Sequence, residues 1–209
     1  MKNYIELSKK HFDNQAEIYD ETNTAYYSKY PKISCKDVAQ RLRNTEYQSL
    51  LDIGCGTGYL IDILQKQKNA LYCGLDLSPE MLKMAKQKLP QSVYLTEGSA
   101  DSLPYEDNSF DVVTCIQSFH HYPKPEKSMS EAYRVLKPGG LYIISDTGMG
   151  NCPKFIYSFY NNCIVKKLNT GDYATYNKRD IQNLMTASGF KIKDAQDITK
   201  FIYTVIGIK

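Results

Sequence analysis

The sequence predicts an α/β fold built on a doubly wound, mostly parallel sheet, and three observations support this prediction. From residue 49 onward, short apolar runs alternate with amphipathic segments, which is the strand–helix repeat of parallel sheets. The apolar runs are continuous instead of alternating with polar residues, as expected of strands buried on both faces. A glycine-rich turn follows the first run. The predicted strands cover residues 50–53, 71–75, 93–95, 112–116 and 141–144.

Three helices are predicted between these strands, at residues 58–68, 79–89 and 125–136. Ser78 is a favourable N-cap for the second helix, and Pro79 occupies its first helical position. Pro125 has the same part in the third helix. Gly139 and Gly140 are predicted to end that helix, because glycine readily adopts the backbone conformation that terminates helices.

The two ends of the chain carry further elements. Helices are predicted at residues 5–19 and 35–47, and the turn region between them is marked by Tyr26, Tyr27, Tyr30 and Pro31. After the fifth strand, a helix is predicted at 153–168, followed by another at 178–188 that Asn177 caps. Two strands, at 190–198 and 201–208, complete the pattern. Since no repeat or low-complexity linker interrupts the chain, one domain is predicted.

Composition limits the functional classes. The 209 residues are 42% hydrophobic and 23% charged, a mixture typical of one soluble globular domain. The net charge of +3, from 26 basic and 23 acidic residues, gives no electrostatic reason to expect nucleic acid or an anionic membrane as partner. No apolar run approaches the roughly 18 residues of a membrane span. The polar N-terminus lacks the apolar segment of a signal peptide.

The cysteines are scattered, and no two stand in a C-x-x-C pair, which argues against a zinc ribbon or a redox dithiol. They are Cys35, Cys55, Cys73, Cys115, Cys152 and Cys163. Three lie in or beside apolar runs, where a reduced, buried thiol is expected. The sequence therefore predicts a reduced, cytoplasmic protein, and it predicts no metal site.

The glycine-rich turn is the most informative segment. Gly54, Gly56 and Gly58 alternate between a buried strand and a helix, so the backbone can turn sharply and approach a ligand closely. This G-x-G-x-G spacing differs from the G-x-G-x-x-G of dinucleotide-binding folds. No Gly-Lys-Ser/Thr follows, which argues against a phosphate-binding P-loop.

Two acidic residues support a nucleoside site at the same edge of the sheet. Asp76 ends the second strand, where a carboxylate can accept hydrogen bonds from both hydroxyls of a ribose. Asp101 follows the third strand and could accept a hydrogen bond from an adenine amino group. Because the carboxyl ends of adjacent parallel strands meet at one edge, we expect the glycine turn, Asp76 and Asp101 to form one site.

These segments resemble the class I S-adenosylmethionine-dependent methyltransferases, in the group that includes the ubiquinone- and menaquinone-biosynthesis methyltransferases. The residues that carry the resemblance are 50–58, 74–82, 97–113 and 134–140, and residues 12–20 resemble the N-terminal cap of this group. The resemblance implies a Rossmann-like, seven-stranded sheet of order 3-2-1-4-5-7-6 with an N-terminal helical cap. It places the strand near 201–208 antiparallel to its neighbours.

The resemblance also implies a single methyltransferase domain over residues 1–209. A helical cap would cover 1–47, the cofactor-binding core 48–147, a helical insert beside the acceptor pocket 148–176, and the last helix and strands 177–209. The implied cofactor is S-adenosylmethionine, with S-adenosylhomocysteine as product. Its predicted binding residues are Tyr19, Asp52, Gly54, Cys55, Gly56, Asp76, Leu77, Met81, Ala100, Asp101 and Gln117.

Each of these residues has an implied role. The turn glycines would face the methionine half, with Asp52 orienting that end, the Ile116 or Gln117 backbone facing its amino group, and Tyr19 acting as a lid. Asp76 would hold the ribose. Adenine would lie between Leu77 and Met81, with Ala100 and Asp101 reading its edge, although core packing explains Leu77 and Met81 equally well. Cys55 occupies a turn position that requires a small residue.

Catalysis and the acceptor are less constrained. His120 and His121 follow the fourth strand, and either could act as a general base, with His120 favoured, or else one caps the loop and the other faces solvent. Aromatic residues of the cap and insert, among them Phe12 and Phe155, favour a small apolar or ring-bearing acceptor, or simply a well-packed lid. The alternatives are a cofactor-binding protein without catalysis and an NAD(P)-dependent oxidoreductase. The sequence does not indicate the oligomeric state.

Overall fold

The computed structural model describes residues 3–21, 29–150, 152–167 and 170–209. One seven-stranded sheet has the order β3-β2-β1-β4-β5-β7-β6, as predicted. The strands are β1 (Ser49–Ile53), β2 (Leu71–Asp76), β3 (Tyr94–Glu97), β4 (Phe110–Ile116), β5 (Leu136–Thr147), β6 (Lys191–Asp197) and β7 (Ile202–Ile208). The α-helices are α1 (Tyr4–Gln15), α2 (Tyr30–Leu42), α3 (Tyr59–Gln65), α4 (Pro79–Lys88), α5 (Pro125–Val135), α6 (Lys154–Cys163) and α7 (Lys178–Ala187).

The sheet is parallel from β3 through β5, and β7 runs antiparallel between β5 and β6. All five residues of β1 are buried, in keeping with its continuous apolar run. Asp52 of β1 lies opposite Gly74 of β2 and Thr114 of β4. The carboxyl ends of these central strands therefore share one edge, where the loops that carry the predicted site begin.

Helices cover both faces of the sheet, and each face has its own apolar core. On one face, α5 and α7 bury side chains that include Met129, Val135 and Met185. On the other face, α2, α3 and α4 bury a second set that includes Leu42 and Leu64. This two-sided burial explains why the strand sequences are apolar throughout.

The predicted helix starts are confirmed. The Ser78 hydroxyl accepts a hydrogen bond of 3.1 Å from the Met81 amide, and Pro79 begins α4. Asn177 and Asp180 form a reciprocal capping box at the start of α7. These local contacts satisfy amide groups that have no partner within their own helix.

Helices α1, α2 and α3 end earlier than predicted, at Gln15, Leu42 and Gln65, and three further element boundaries also differ. Helix α5 ends at Val135, and β5 begins at Leu136 instead of after Gly139 and Gly140. Leu136 pairs with Phe110 of β4, so its backbone belongs to the sheet and not to the end of the helix. The predicted helix at 153–168 is shorter, ending as α6 at Cys163 before a short turn of 3₁₀ helix, Val165–Lys167.

The third difference concerns the segment between the first two helices. Helix α2 begins at Tyr30, so Tyr30 and Pro31 lie in its first turn and not in the predicted turn region. Proline is favourable there because the first helical amide needs no partner within the helix. Tyr26 and Tyr27 lie outside the described residues.

Four of the cysteines, Cys35, Cys55, Cys73 and Cys115, are buried free thiols. Across the described ranges, no helix combines the length and the apolar character that crossing a membrane requires.

Candidate functional site

The glycine turn leaves the end of β1 and is fastened to β2. Gly54 and Gly56 have φ angles of 72° and 52°, in the left-handed region that glycine adopts without strain. The amides of Gly54 and Cys55 both donate to the carbonyl of Leu75, at 2.7 and 3.0 Å. The turn therefore has a fixed position relative to the end of the neighbouring strand.

Asp76 at the end of β2 connects this turn to helix α4. Its carboxylate accepts from the Gly56 amide at 2.7 Å and from the Ser78 amide at 2.9 Å, one bond to each oxygen. Burial raises the pKa of Asp76, and the backbone amides of Ser78 and Gly56 oppose this effect. Because each carboxylate oxygen can accept more than one hydrogen bond, both keep capacity for ligand hydroxyls.

A cavity opens at this edge of the sheet. Its wall brings together most of the predicted site residues. These are Tyr19, Gly54, Gly56, Asp76, Leu77, Met81, Ala100, Gln117 and His121. Gln117 also has a φ of 50°, uncommon for a residue other than glycine and often found at functional sites.

Helix α1 covers this cavity, and its polar contacts were not predicted from the sequence. Lys9 donates to the Leu77 carbonyl at 3.3 Å and pairs with Glu97 at 3.2 Å. Asp13 accepts a hydrogen bond of 2.6 Å from the Ser78 hydroxyl. The predicted N-terminal cap is thus joined to the same strand ends that carry the cavity.

A second cavity adjoins the first. The two share Phe12, Tyr19, Gln117 and His121 as walls. The rest of the second cavity is lined by His11, Tyr30, Pro31, His120, Thr147, Thr170 and Asp172. Two ligands could therefore meet at the shared wall.

Comparison with known proteins identifies the family. A family model described as "Methyltransferase domain" matches residues 51–144. A demethylmenaquinone methyltransferase of Chlorobaculum tepidum is 33% identical over 163 residues, which are 75% of this chain and 67% of the relative. The chain belongs to the class I S-adenosylmethionine-dependent methyltransferases. A demethylmenaquinone methyltransferase of Staphylococcus epidermidis is also 33% identical, over 71% of this chain and 64% of the relative, so the chain spans slightly less than two thirds of that relative's length.

Solved structures share the fold of this chain. A methyltransferase in complex with the Haloferax volcanii Trm112 methyltransferase activator has a TM-score of 0.79 and 19% identity, over 96% of each chain. Phosphoethanolamine N-methyltransferase 2 of Haemonchus contortus, solved with S-adenosylmethionine, has a TM-score of 0.69 and 19% identity, over 95% of this chain and 60% of that one. S-adenosylmethionine is the cofactor of the family to which the chain belongs.

Three predicted cofactor residues do not line the first cavity. Asp52 is buried beneath the glycine turn, where it accepts a hydrogen bond of 2.7 Å from Thr114. Cys55 packs into the apolar core on the α3 side of the sheet. Asp101 pairs with Lys124 at 2.8 Å and accepts from the Ser99 hydroxyl at 2.7 Å, so both of its oxygens already have protein partners.

The burial of Asp52 gives a pH-dependent prediction. Burial raises the pKa of this carboxyl to about 7, and the nearby charge of Asp76 adds to the effect. Between about pH 4 and 7, the folded protein keeps a proton that the unfolded chain has released, so this group lowers stability as the pH rises. Asp52→Asn cannot ionise and keeps an acceptor for Thr114. Urea unfolding of the ligand-free protein should show the variant gaining about 1 kcal/mol or more over the wild type from pH 4 to pH 7. An equal difference at both pH values contradicts this prediction.

The predicted catalytic histidines lie at the second cavity, and only His121 also lines the first. The Nδ1 atom of His120 is 2.7 Å from Asp146 Oδ1, and the His120 amide donates to Asp146 Oδ2 at 3.2 Å. Burial opposes protonation of His120, but Asp146 and Asp172 outweigh it and raise its pKa to about 9. Burial and the neighbouring His120 lower the pKa of His121 to about 4.

Sequence reasoning missed the two aspartates beside these histidines. Asp146 lies near the end of β5, a position where a carboxylate could have been recognised from the strand pattern alone. Asp172 lies in the irregular segment before α7, and no spacing or motif indicates that it reaches His120 and His121. The predicted insert therefore contributes Thr170 and Asp172 to the second cavity, whereas Phe155 of α6 is 74% exposed.

Proposed function

We propose that this protein catalyses methyl transfer from S-adenosylmethionine to a small acceptor with an apolar ring, held in the second cavity. The observation that carries this proposal is the wall shared by the two cavities, formed by Phe12, Tyr19, Gln117 and His121. A direct displacement needs donor and acceptor in contact and in line, and adjoining cavities provide that contact.

The first cavity suits the cofactor in shape and in chemistry. A side chain added at Gly56 would meet no atom within 4 Å, which leaves room for a ligand against the turn. We propose that the methionine half lies at Gly54, Gly56 and the backbone of Gln117, and that Asp76 accepts the ribose hydroxyls. Leu77, Met81 and Ala100 would surround adenine. When bound, S-adenosylmethionine supplies a methyl group already activated by its sulfonium.

The protein's own contribution to rate is then position and exclusion of water. Phe12 and Tyr19, whose ring centroids are 6.3 Å apart, present aromatic surface to both cavities. Tyr30 and Pro31 add apolar surface to the second cavity alone. This lining favours an uncharged ring, and the relatives named demethylmenaquinone methyltransferases suggest a quinol-type acceptor.

His120 and His121 are proposed to act on the acceptor, since both line the second cavity. The general base predicted for one of them remains a prediction. His120 lies between two carboxylates, whereas His121 reaches the wall shared with the cofactor cavity, so His121 is the better placed of the two.

The proposal is tested by mixing S-adenosylmethionine labelled on its methyl group with a short-chain demethylmenaquinol. We expect labelled product that depends on both the enzyme and the acceptor. Tyr30→Ala should raise the acceptor KM at least threefold while changing cofactor affinity little, because Tyr30 lines only the second cavity. Cofactor binding without turnover on any of a panel of ring-bearing acceptors would instead support a non-catalytic binding protein. Binding of NAD(P)H in place of S-adenosylmethionine would support an oxidoreductase.

A further inference from the structure

Three side-chain atoms of the type that bind metal ions converge at the second cavity. Asp172 Oδ1 lies 3.5 Å from His120 Nε2 and 3.5 Å from His121 Nδ1. One ligand atom from each of the three residues lies within 4.8 Å of the others. Their side chains are 7 to 11% exposed, so water has little access to them.

Two of these atoms have no hydrogen-bond partner. His121 Nδ1 and Asp172 Oδ1 are both buried and unsatisfied, although they face each other. The other carboxylate oxygen of Asp172 already accepts a hydrogen bond from the Thr170 hydroxyl. Buried polar atoms are nearly always paired, so two unpaired atoms that face each other indicate a bound species between them.

The charges of the cluster also favour a cation. Asp146 is 1% exposed and Asp172 is 5% exposed, so two carboxylates are buried beside the same imidazole ring. Asp146 pairs with His120, Asp172 pairs with both His120 and His121, and the imidazole of His11 also interacts with the charge of Asp172. One imidazolium offsets only one of the two charges, whereas a divalent cation offsets both.

We infer that His120, His121 and Asp172 bind one divalent transition-metal ion at the wall of the acceptor cavity. Ligand bonds of about 2.1 Å in a tetrahedral arrangement place two ligand atoms about 3.4 Å apart, close to the two observed separations of 3.5 Å. Asp146 holds the other ring nitrogen of His120 at 2.7 Å, as second carboxylates commonly do for metal-binding histidines.

Two imidazoles and one carboxylate suit Zn²⁺ or Fe²⁺, and Mg²⁺ and Ca²⁺ prefer sites made of oxygen ligands. All three residues line the second cavity, so a remaining coordination position could hold an oxygen atom of the acceptor. With the ion bound, His121 is a metal ligand and not the general base. This use of the ion depends on the proposed function, but binding of the ion does not. A metal titration without cofactor or acceptor therefore separates the two proposals.

The test is calorimetric titration of Zn²⁺, and of Co²⁺ followed by absorbance, into the full chain after treatment with a chelator. We expect one ion per chain with a Kd in the micromolar range or tighter, and no comparable binding of Mg²⁺. Asp172→Asn and His121→Gln should each weaken Zn²⁺ binding at least tenfold. Thr147→Val is the control, because Thr147 lines the same cavity but is not one of the three clustered residues, and it should leave Zn²⁺ binding unchanged.

Circular dichroism of each variant verifies that it is folded, and Asp146→Asn gives a second measurement if Asp172→Asn fails to fold. We expect Asp146→Asn to bind Zn²⁺ more weakly than wild type, because it loses the carboxylate behind His120. The absence of Zn²⁺ binding by the wild type overturns the inference. So does a thiolate-to-cobalt absorption band, which would assign the ion to cysteines, and so does equal binding by wild type and His121→Gln.

Discussion

Asp76→Asn will weaken S-adenosylmethionine binding at least tenfold, a loss of about 1.4 kcal/mol or more. The carboxylate receives the Gly56 and Ser78 amides on separate oxygens, and an asparagine has only one oxygen. Its NH₂ group must then face one of these amides, so a donor meets a donor. The substitution therefore removes a proposed ribose acceptor and also loosens the glycine turn that adjoins it.

Calorimetric titration of the cofactor and of S-adenosylhomocysteine measures this effect. Asp101→Asn is the matched control, because Asp101 is also an acidic residue after a strand but lies off the cavity wall, paired with Lys124. We expect less than a threefold change in its affinity. Equal losses of cofactor affinity in the two variants would support a contact between Asp101 and adenine. Unchanged affinity in Asp76→Asn would show that Asp76 does not bind the cofactor.

Gly54→Ala will mainly lower stability and Gly56→Ala will mainly lower cofactor affinity, although the two glycines are separated by one residue. At Gly54, a Cβ atom would lie 2.1 Å from the Ser118 hydroxyl oxygen and 2.6 Å from Ser118 Cβ, on backbone that is already left-handed. Strain and overpacking each cost about 1–3 kcal/mol, so Gly54→Ala should lower the free energy of unfolding by about 2–4 kcal/mol.

At Gly56, a Cβ atom would meet nothing within 4 Å, and only the left-handed backbone penalises it, by about 1–2 kcal/mol. The added methyl group would occupy space that we assign to the cofactor, so Gly56→Ala should fold and yet lose at least tenfold in cofactor affinity. Urea unfolding and cofactor titration of both variants check the contrast. A Gly56→Ala protein that binds the cofactor as well as wild type does would place the ligand elsewhere.

The central strands could be predicted from the sequence because their burial requires the same apolar residues that form them. Leu50 and Leu51 are completely buried, as expected of a strand that helices cover on both faces. The start of β5 could not be predicted. Its first residue, Leu136, follows a helical pattern without a break, and only its pairing with Phe110 makes it a strand.

The cofactor side of the site was more predictable than the acceptor side for a related reason. Asp76 acts through amides two residues or twenty residues away that belong to a recognisable strand–turn–helix unit. Asp172 acts on His120 from an irregular segment 52 positions along the chain, and no periodicity encodes such a contact. Asp101 was predicted at the site for the same reason as Asp76, but it lies off the wall of the first cavity. It pairs instead with Lys124 in the loop before α5, a contact that could not be anticipated from the sequence.

The attachment of α1 determines how small molecules can reach and leave the sheet edge. Ser8 is the only buried residue of this helix, and the bonds of Lys9 to Leu77 and of Asp13 to Ser78 are polar contacts that water can replace. The half-buried rings of Tyr4 and Phe12 add edge-on contacts to Tyr173 and His121. No strand pairs with the helix, so releasing it would cost less than global unfolding, and ligand exchange can proceed by a local opening in which every strand pairing persists. The rate of ligand exchange would then depend on how firmly these four side chains hold a surface helix.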